Sequence, residues 1–249
     1  MLSIKNLTKI YKGGKAAVSD LSLDVKAGDI YGFIGHNGAG KTTTIKAVVG
    51  IIDFNEGDIL IDGVSIKKEP LLCKAKFAYI PDNPDLYEYL TGIQYLNFMA
   101  DVFRITKEER ERSISLYAND LNMTKALGDL ISTYSHGMKQ KLAIIGALIH
   151  KPKLLILDEP FVGLDPEAIV TLKKIMREMC QNGVAIFFST HVLDVAEKLC
   201  NKVAIIKEGK LIVSGETEKL TGGKSLEAVF MEVVGNAQTN SSTDNSSTL

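Results

Sequence analysis

A glycine-rich stretch near the N-terminus carries the residue types that phosphate chemistry requires. Residues 35–43 read Gly-His-Asn-Gly-Ala-Gly-Lys-Thr-Thr and fit the phosphate-loop pattern G-x-x-x-x-G-K-[ST] without a mismatch. Glycines let such a loop turn tightly and point backbone N–H groups at phosphate oxygens, beside a helix N-terminus that favours anions. The apolar run 29–34 is typical of a buried strand, and 43–49 can continue as a helix. This context predicts a nucleoside triphosphate site and disfavours a glycine-rich turn that matches by chance.

The residues of this loop have separate predicted roles. Lys41 is expected to reach the β- and γ-phosphates and to neutralise their charge during catalysis, and the Thr42 hydroxyl is expected to bind Mg²⁺. His36 occupies a variable position of the pattern, so its ring receives no chemical role. The predicted nucleotide-binding residues of the loop are Gly35, His36, Asn37, Gly38, Ala39, Gly40, Lys41, Thr42 and Thr43.

Two carboxylates follow a fully apolar run farther along the chain. Asp158 and Glu159 come directly after Leu-Leu-Ile-Leu at 154–157, and the carboxyl ends of buried parallel strands are where open α/β sheets bind ligands. Asp158 is predicted to hold Mg²⁺ through water, and Glu159 to orient and deprotonate the attacking water. The alternative, an acidic pair that only caps a helix, is disfavoured because the chain already contains a phosphate loop.

Two histidines and one tyrosine are further candidates. His191 follows a second buried strand, 184–188, and opens onto the same sheet edge, which favours a γ-phosphate contact over a purely structural role. His150 is expected to be structural. Tyr11 precedes a Gly-Gly turn and is either a half-buried strand aromatic or a platform for a nucleotide base, and its spacing leaves both interpretations open.

Composition and charge limit the class of protein. The chain has 249 residues, is 45% hydrophobic and 24% charged, and carries a formal net charge of -1, as expected for a soluble globular protein. Its basic residues are mixed with acids, so nucleic acid is not an expected partner.

The cysteines and the apolar stretches indicate the compartment. The cysteines form no C-x-x-C pair, which predicts reduced, buried thiols in a cytosolic protein. The N-terminus lacks the apolar core of a signal peptide, and the longest apolar stretch, 142–149, is far shorter than a membrane span. Any membrane role is therefore expected to depend on another polypeptide.

Strands and helices alternate along most of the chain, which predicts an α/β fold. We expect a P-loop NTPase (RecA-like) core with a parallel sheet, N-terminal antiparallel β-strands and an inserted α-helical subdomain. In the insert, Thr91 and Thr106 each open a capping box, and Ser135 begins a third helix. After the acidic pair, Asp165 is expected to cap a helix that has Pro166 at its first position. The segment after residue 235 is rich in Ser, Thr and Asn and is expected to be disordered. The predicted divisions are a single domain 1–235, its core 1–81 and 151–235, its helical subdomain 82–150, and a tail 236–249.

The order of the motifs resembles that of the ATP-binding subunit of an ABC transporter. Beside the phosphate loop and the acidic pair, the resemblance includes Ile80-Pro81-Asp82, a signature stretch at 134–140, Gly163-Leu164-Asp165 and His191, and it covers residues 1–235. The signature stretch reads Tyr-Ser-His-Gly-Met-Lys-Gln and separates this family from other phosphate-loop ATPases. The resemblance implies an ATPase that uses ATP and Mg²⁺. The implied roles are adenine stacking for Tyr11, phosphate and Mg²⁺ binding for Lys41 and Thr42, Walker B acid for Asp158, catalytic base for Glu159, D-loop acid for Asp165 and switch histidine for His191.

Two positions depart from the family pattern. The signature commonly reads Leu-Ser-Gly-Gly-Gln, and here Ser135 and Gly137 still offer a hydroxyl and N–H groups to a γ-phosphate, while His136 must point away from it. Asp82 stands where the family commonly has Gln, and its shorter carboxylate can still accept from water or bind Mg²⁺. The acidic substitution and the ending 226–230 resemble the branch that serves drug, antibiotic or lipid-linked exporters.

The resemblance also implies partners. In that family two subunits pack head to tail and each signature closes the phosphate loop of the other, so we expect a homodimer, or a heterodimer with a related ATPase subunit, when ATP is bound. A separate membrane permease is expected to contact segment 82–90 through Tyr87 and Tyr89, although these rings could instead pack within the helical subdomain. The chain is then expected to be cytoplasmic and peripheral on the cell membrane.

Two other functional classes fit the sequence less well. An ABC-type ATPase that acts on a soluble partner commonly carries paired ATPase domains in one chain, whereas this chain has one, and copurification with membranes separates the two hypotheses. A GTPase requires Asn-Lys-x-Asp, and the Asn-Lys pair at 201–202 is not followed by that acid. The transported substrate is not encoded in any of these motifs.

Overall fold

Two β-sheets form the framework of the computed structural model, which describes residues 1–239. The strands are β1 (Leu2–Ile10), β2 (Ala16–Val25), β3 (Ile30–Ile34), β4 (Glu56–Ile61), β5 (Val64–Ser65), β6 (Phe77–Ile80), β7 (Leu154–Asp158), β8 (Ala185–Thr190), β9 (Lys202–Lys207) and β10 (Lys210–Glu216). The first sheet is antiparallel with the order β2-β1-β4-β5. The second has the order β10-β9-β3-β8-β7-β6 and is parallel except for the β10–β9 hairpin.

Helices cover the second sheet and form a separate block between β6 and β7 in the chain. They are α1 (Lys41–Val48), α2 (Pro70–Lys74), α3 (Gly92–Val102), α4 (Lys107–Asp120), α5 (His136–Leu148), α6 (Pro166–Gln181), α7 (Leu193–Leu199), α8 (Thr217–Thr221) and α9 (Leu226–Thr239). Helices α3 to α5 make up the inserted block that the sequence predicts.

Strands β7 and β8 are buried on both faces, as their continuous apolar runs predict. Leu155 and Leu157 contribute to a core that includes the inserted helices, while Leu154 and Ile156 contribute to a core shared with the antiparallel sheet and α1. Because successive side chains of a strand point to opposite faces, one unbroken apolar run supplies both cores. The polar residues at the strand ends are therefore held by a rigid, dry sheet.

The register of the parallel sheet brings those polar ends together. Ile34, which leads into the phosphate loop, pairs with Thr190 at the end of β8, and Asp158 at the end of β7 pairs with Ser189. The carboxyl ends of three neighbouring strands thus meet at one edge, where open α/β sheets bind ligands.

Side-chain caps start α3, α4, α5 and α6 at the predicted residues. Thr91 forms a complete capping box with Gln94. The second predicted capping box is only half formed, because the Glu109 carboxylate accepts a hydrogen bond from the Thr106 hydroxyl and not from the Thr106 backbone N–H. Ser135 caps α5, and Asp165 caps α6.

Other details differ from the sequence-based expectations. Helix α9 continues to Thr239, so the predicted disordered tail does not begin at residue 236; residues 240–249 lie outside the described residues. Cys73 and Cys200 are buried, but Cys180 is only half-buried, because it lies at the C-terminal end of α6. All three are free thiols. Within the described part of the chain, no helix has both the length and the apolar character needed to cross a bilayer.

Candidate active site

Close backbone contacts require glycine at two positions of the phosphate loop. A Cβ at Gly35 would lie 2.5 Å from the Ile206 carbonyl oxygen, and a Cβ at Gly40 would lie 2.6 Å from the Ala17 carbonyl oxygen. Gly40 also has a φ of 108°, a left-handed conformation that side chains disfavour, and it is the residue from which α1 starts. The phosphate loop is therefore packed tightly between β2 of the antiparallel sheet and β9, and these contacts leave no room for a side chain at Gly35 or Gly40.

Lys41 lies at the base of this loop and is almost fully buried. Its Nζ donates to the Gly35 carbonyl oxygen at 2.7 Å and lies 3.4 Å from Glu159 Oε1. The surrounding cavity has a volume of about 330 Å³, and it is lined by Ala17, His36, Asn37, Gly38, Gly40, Lys41, Thr42, Thr43, Asp82 and Glu159. A buried ammonium inside a loop of N–H groups is suited to binding a polyanion such as a triphosphate.

Asp158 is fully buried at the end of β7. Its Oδ1 accepts a hydrogen bond from the Ser189 hydroxyl, while its Oδ2 makes no hydrogen bond of normal geometry within residues 1–239. Burial raises the pKa of Asp158, and the nearby Ser189 and Thr42 hydroxyls act in the opposite direction. A buried carboxylate oxygen without a partner beside a threonine hydroxyl fits the oxygen-rich ligand set that Mg²⁺ prefers.

Glu159 has an unusual backbone conformation, and its carboxylate lies close to Lys41 and His191. Its φ is 48°, in the left-handed region, and its backbone N–H donates to Ser189 Oγ at 3.1 Å. Its Oε1 lies 3.4 Å from Lys41 Nζ and 3.0 Å from His191 Nδ1. The carboxylate is thus turned back from the strand end toward the phosphate loop.

Most of the predicted site residues meet at this cavity, but Tyr11 does not line it. Tyr11 lies in the loop after β1, 46% exposed, with Lys9 Nζ 5.1 Å from the centre of its ring. It is therefore not a half-buried strand aromatic, and within one chain its ring is available for stacking on a base. The His36 side chain lies edge-on against Phe230 of α9, with ring centres 5.0 Å apart.

The signature residues lie outside the cavity, at the exposed N-terminus of α5. Ser135 Oγ accepts the Met138 N–H at 3.3 Å, and Gly137 packs so closely on the Gly163 carbonyl that a Cβ there would lie 2.6 Å from its oxygen. The His136 ring is turned against Gly163. A signature glycine is thus required by contact with the loop that precedes Asp165.

Asp165 joins the two helices that flank this surface. One carboxylate oxygen accepts the Ala168 N–H at 2.8 Å, and the other lies 2.6 Å from Lys141 Nζ of α5. The ion pair with Lys141 and the cap hydrogen bond lower the pKa of Asp165. Within one chain these contacts hold α6 to α5, and Asp165 does not reach the phosphate-loop cavity.

Comparison with known proteins decides the family. The family model described as "ABC transporter" matches residues 18–162, which is more than half of the chain. The chain belongs to the ABC transporter family. It is 41% identical over 217 residues to the uncharacterized ABC transporter ATP-binding protein YhcH of Bacillus subtilis, covering 85% of this chain and 68% of YhcH. It is 34% identical over 215 residues to the linearmycin resistance ATP-binding protein LnrL of the same organism, covering 86% and 69%.

A solved structure described as an ATP-binding subunit of an ABC transporter has the same fold. Its TM-score is 0.90 at 34% identity, and the match covers 94% of this chain and 99% of that one. The predicted family, the α/β P-loop fold and the ATPase class are therefore confirmed for this ABC transporter ATP-binding chain. The roles assigned to individual site residues remain predictions.

Two parts of the site have no counterpart in the sequence-based prediction. Ser189 contacts both acids, and Ala17 and Phe230 press on the phosphate loop. The polar ending Ser189-Thr190-His191 of a buried strand was a usable signal for Ser189, because β7 ends in polar residues at the same level. No local pattern marks Ala17 or Phe230, since their contacts depend on how distant segments pack.

Proposed function

We propose that this chain hydrolyses ATP to drive a separate membrane permease, and that two copies close on ATP during each cycle. The observation that carries the proposal is the position of the Glu159 carboxylate, 3.4 Å from Lys41 Nζ at the rim of the phosphate-loop cavity. A carboxylate so close to the phosphate-binding lysine is placed to act on a water that attacks the terminal phosphate.

The chain's own residues divide the chemistry among themselves. Lys41 and the loop N–H groups hold the phosphates and neutralise their charge. Glu159 orients and deprotonates the attacking water, and His191, 3.0 Å from Glu159 Oε1, orients that carboxylate and reaches toward the γ-phosphate. The left-handed backbone at Glu159 turns the carboxylate away from the strand and toward the loop.

Three residues are suited to hold Mg²⁺ at this site. Thr42, Asp82 and Asp158 would bind it directly or through water, and the unpartnered Oδ2 of Asp158 is the observation that fits such an ion. When bound, Mg²⁺ supplies positive charge that stabilises the phosphate oxygens during transfer. Asp82, at the start of the segment that joins β6 to α3, would connect this site to the helical block.

The exposed signature supports closure between two copies. At the start of α5, Ser135 is exposed and Gly137 is half-buried, and neither lines its own chain's cavity, so they can serve the ATP of a partner. A helix start offers N–H groups to the open side of a γ-phosphate. The partner is a second copy or a related ATPase subunit.

The segment 82–90 and its surroundings support docking of the permease. Tyr87 and Tyr89 are 47% and 75% exposed, and Tyr87 packs edge-on against the exposed Phe98 at 5.6 Å. Beside them a cleft of about 290 Å³ opens between β6 and the helices α3 and α5. Clustered exposed aromatic side chains next to a cleft are typical of a protein interface. The chain would then lie on the cytoplasmic face of the cell membrane.

The direction of transport is proposed to be export. The relative LnrL is named for linearmycin resistance, which fits removal of a toxic compound from the cell. The acidic Asp82 and the ending 226–230 resemble the exporter branch as well.

Membrane retention tests the permease partner. We expect Tyr87→Ala with Tyr89→Ala to preserve the basal ATPase rate of the purified chain and to release it from washed membranes of the cells that produce it. Leu116→Ala with Val170→Ala is the matched control, because it also truncates two exposed apolar side chains, but on α4 and α6. A chain that washes off membranes completely before any substitution would contradict the permease partner. Lower thermal stability of the tyrosine variant with full retention would instead assign both rings to packing.

A further inference from the structure

Ser189 occupies a distinctive position between the two acids of the site. It lies at the end of β8, directly across from Asp158 of β7, and it is completely buried. Its hydroxyl donates to Asp158 Oδ1, and its oxygen accepts the backbone N–H of Glu159 at 3.1 Å. One small side chain therefore contacts both residues that the ATPase reaction needs.

The direction of these hydrogen bonds is fixed by chemistry. An ionised carboxylate only accepts and a backbone N–H only donates, so the single hydroxyl hydrogen of Ser189 must point at Asp158 and its lone pair at Glu159. Removal of the hydroxyl leaves the part-buried Glu159 N–H without its partner and takes a donor from the buried Asp158 carboxylate. Buried polar groups without partners are costly, so the local backbone would be driven to another arrangement.

The backbone that would rearrange is the strained one. Glu159 has a φ of 48°, which non-glycine residues rarely adopt, and this conformation directs its carboxylate toward Lys41 and His191. The Glu159 carbonyl accepts the Val162 N–H at 3.2 Å, so Ser189 and Val162 hold the turn from its two ends. Of these two hydrogen bonds to the Glu159 backbone, only the one with Ser189 is also connected to Asp158, through the Ser189 hydroxyl.

We infer that Ser189 is a positioning residue for ATP hydrolysis, which acts through Glu159 by holding its left-handed turn against Asp158. Ser189 is completely buried and does not line the phosphate-loop cavity. This inference rests on the proposed role of Glu159 as the base, and it adds that the orientation of the base is linked to the Mg²⁺-binding acid through one hydroxyl.

A substitution with a matched control tests the inference. Ser189→Ala is expected to lower kcat about tenfold, which at 1.36 kcal/mol per decade is the size of one ordinary hydrogen bond, while KM for ATP and ATP binding in EDTA change less than about threefold. The control is Ser65→Ala, because Ser65 is also buried and donates to a carboxylate, Asp58 Oδ1 at 2.7 Å, in the antiparallel sheet. The control is expected to keep kcat. A KM or binding defect in Ser189→Ala with unchanged kcat would overturn the inference.

A double-mutant cycle separates positioning from a general structural role. In a Glu159→Gln background, Ser189→Ala is expected to lower the residual single-turnover rate by less than about twofold, because the residue through which Ser189 acts has lost its function. An undiminished tenfold loss there would show that Ser189 acts independently of Glu159 and would overturn the inference. Ser189→Cys, which keeps the volume but is a weak donor, replaces Ser189→Ala if the alanine variant does not fold, and wild-type kcat in Ser189→Cys would also overturn it. If the wild-type chain and Ser65→Ala do not hydrolyse ATP at all, the proposed function fails instead.

Discussion

The phosphate-loop cavity and the N-terminus of α5 both offer groups that suit a triphosphate, but one chain completes only the first. At the cavity, the Glu159 carboxylate lies within ion-pair or hydrogen-bond distance of both Lys41 and His191, and Asp158 Oδ2 has no hydrogen-bond partner among residues 1–239. At α5, Ser135 is exposed and its side chain already caps its own helix. The first region forms a cavity that suits a ligand within one chain, whereas the second is an exposed helix start that we propose is used by another molecule.

This difference indicates how ATP can connect two chains. We propose that chemistry and primary ATP binding take place at the cavity, so substitutions there should act within a single chain. The α5 surface, meaning the N-terminus of α5 with Ser135 and Gly137, should matter only when two chains meet. ATP that contacts the cavity of one chain and the α5 surface of the other would favour the dimer by mass action. Substitutions in the two regions should therefore produce defects of different kinds as well as different sizes.

The largest expected effect is the loss of ATP binding in Lys41→Ala. The substitution removes the buried ammonium that we propose balances the charge on the β- and γ-phosphates, so binding at micromolar protein and ATP should be abolished. Equilibrium dialysis with labelled ATP measures this, and circular dichroism checks that the variant is folded. Normal ATP binding by a folded Lys41→Ala chain would contradict the assignment of this cavity as the ATP-binding site.

Glu159→Gln should retain ATP affinity and lose hydrolysis. A positioned general base contributes about 10²–10⁴ in rate, which corresponds to roughly 3–5 kcal/mol at 1.36 kcal/mol per decade. Phosphate release and ATP binding measured on the same preparation separate the two effects. Loss of binding together with activity would make Glu159 a structural partner of Lys41 and not the base.

The α5 surface is tested most directly in the hydrolysis-deficient chain. Glu159→Gln should accumulate an ATP-bound dimer, and adding Ser135→Arg should prevent dimerisation while binding of ATP to each monomer stays nearly unchanged. The reason is that a bulky side chain would replace the hydroxyl that we propose faces the γ-phosphate bound by the partner. Light scattering with ATP and Mg²⁺ measures the mass. If the double variant dimerises as readily as Glu159→Gln alone, Ser135 does not act across the interface.

The two regions also differ in how much of them the sequence could predict. The loop, Asp158, Glu159 and His191 were recognisable because each follows a short apolar strand, and parallel strands bring their ends to one edge. The left-handed φ of Glu159 and its contact with Ser189 were not predictable, because they depend on the register between β7 and β8. Local patterns specify elements, whereas register and packing decide which side chains share a hydrogen bond.

At the α5 surface the sequence predicted the caps but not what joins them. Ser135 and Asp165 were recognisable N-caps. The ion pair between Asp165 and Lys141 and the contact of His136 with Gly163 arise where α5 meets the loop before α6. Segments separated this far in the chain leave no periodic signal for such contacts.

The smallest expected effect is that of substitutions at Asp165. They test whether Asp165, next to the α5 surface, only stabilises its own chain or also acts on a partner. Asp165→Ala removes the cap and the ion pair, and it should lower the free energy of unfolding by about 1 kcal/mol, typical of an N-cap, or Tm by roughly 2–4 °C. Asp165→Asn keeps the cap and loses only the half-exposed pair with Lys141, so its loss should be smaller. Because the folded pKa of Asp165 lies below its ordinary value of 3.8, the stability that the charged carboxylate contributes is fully present above pH 3.8 and is lost as pH falls through the folded pKa. The difference in Tm between wild type and Asp165→Asn should therefore stay constant in thermal melts from neutral pH to about pH 5. Thr106→Ala, which removes the cap of α4, is the matched control for capping alone. ATP binding by the monomer should be unchanged in all three variants. If Asp165→Asn keeps its stability and monomer binding but no longer dimerises in the Glu159→Gln background, the carboxylate acts across the interface, and the α5 surface contributes more than Ser135 to the partner's site.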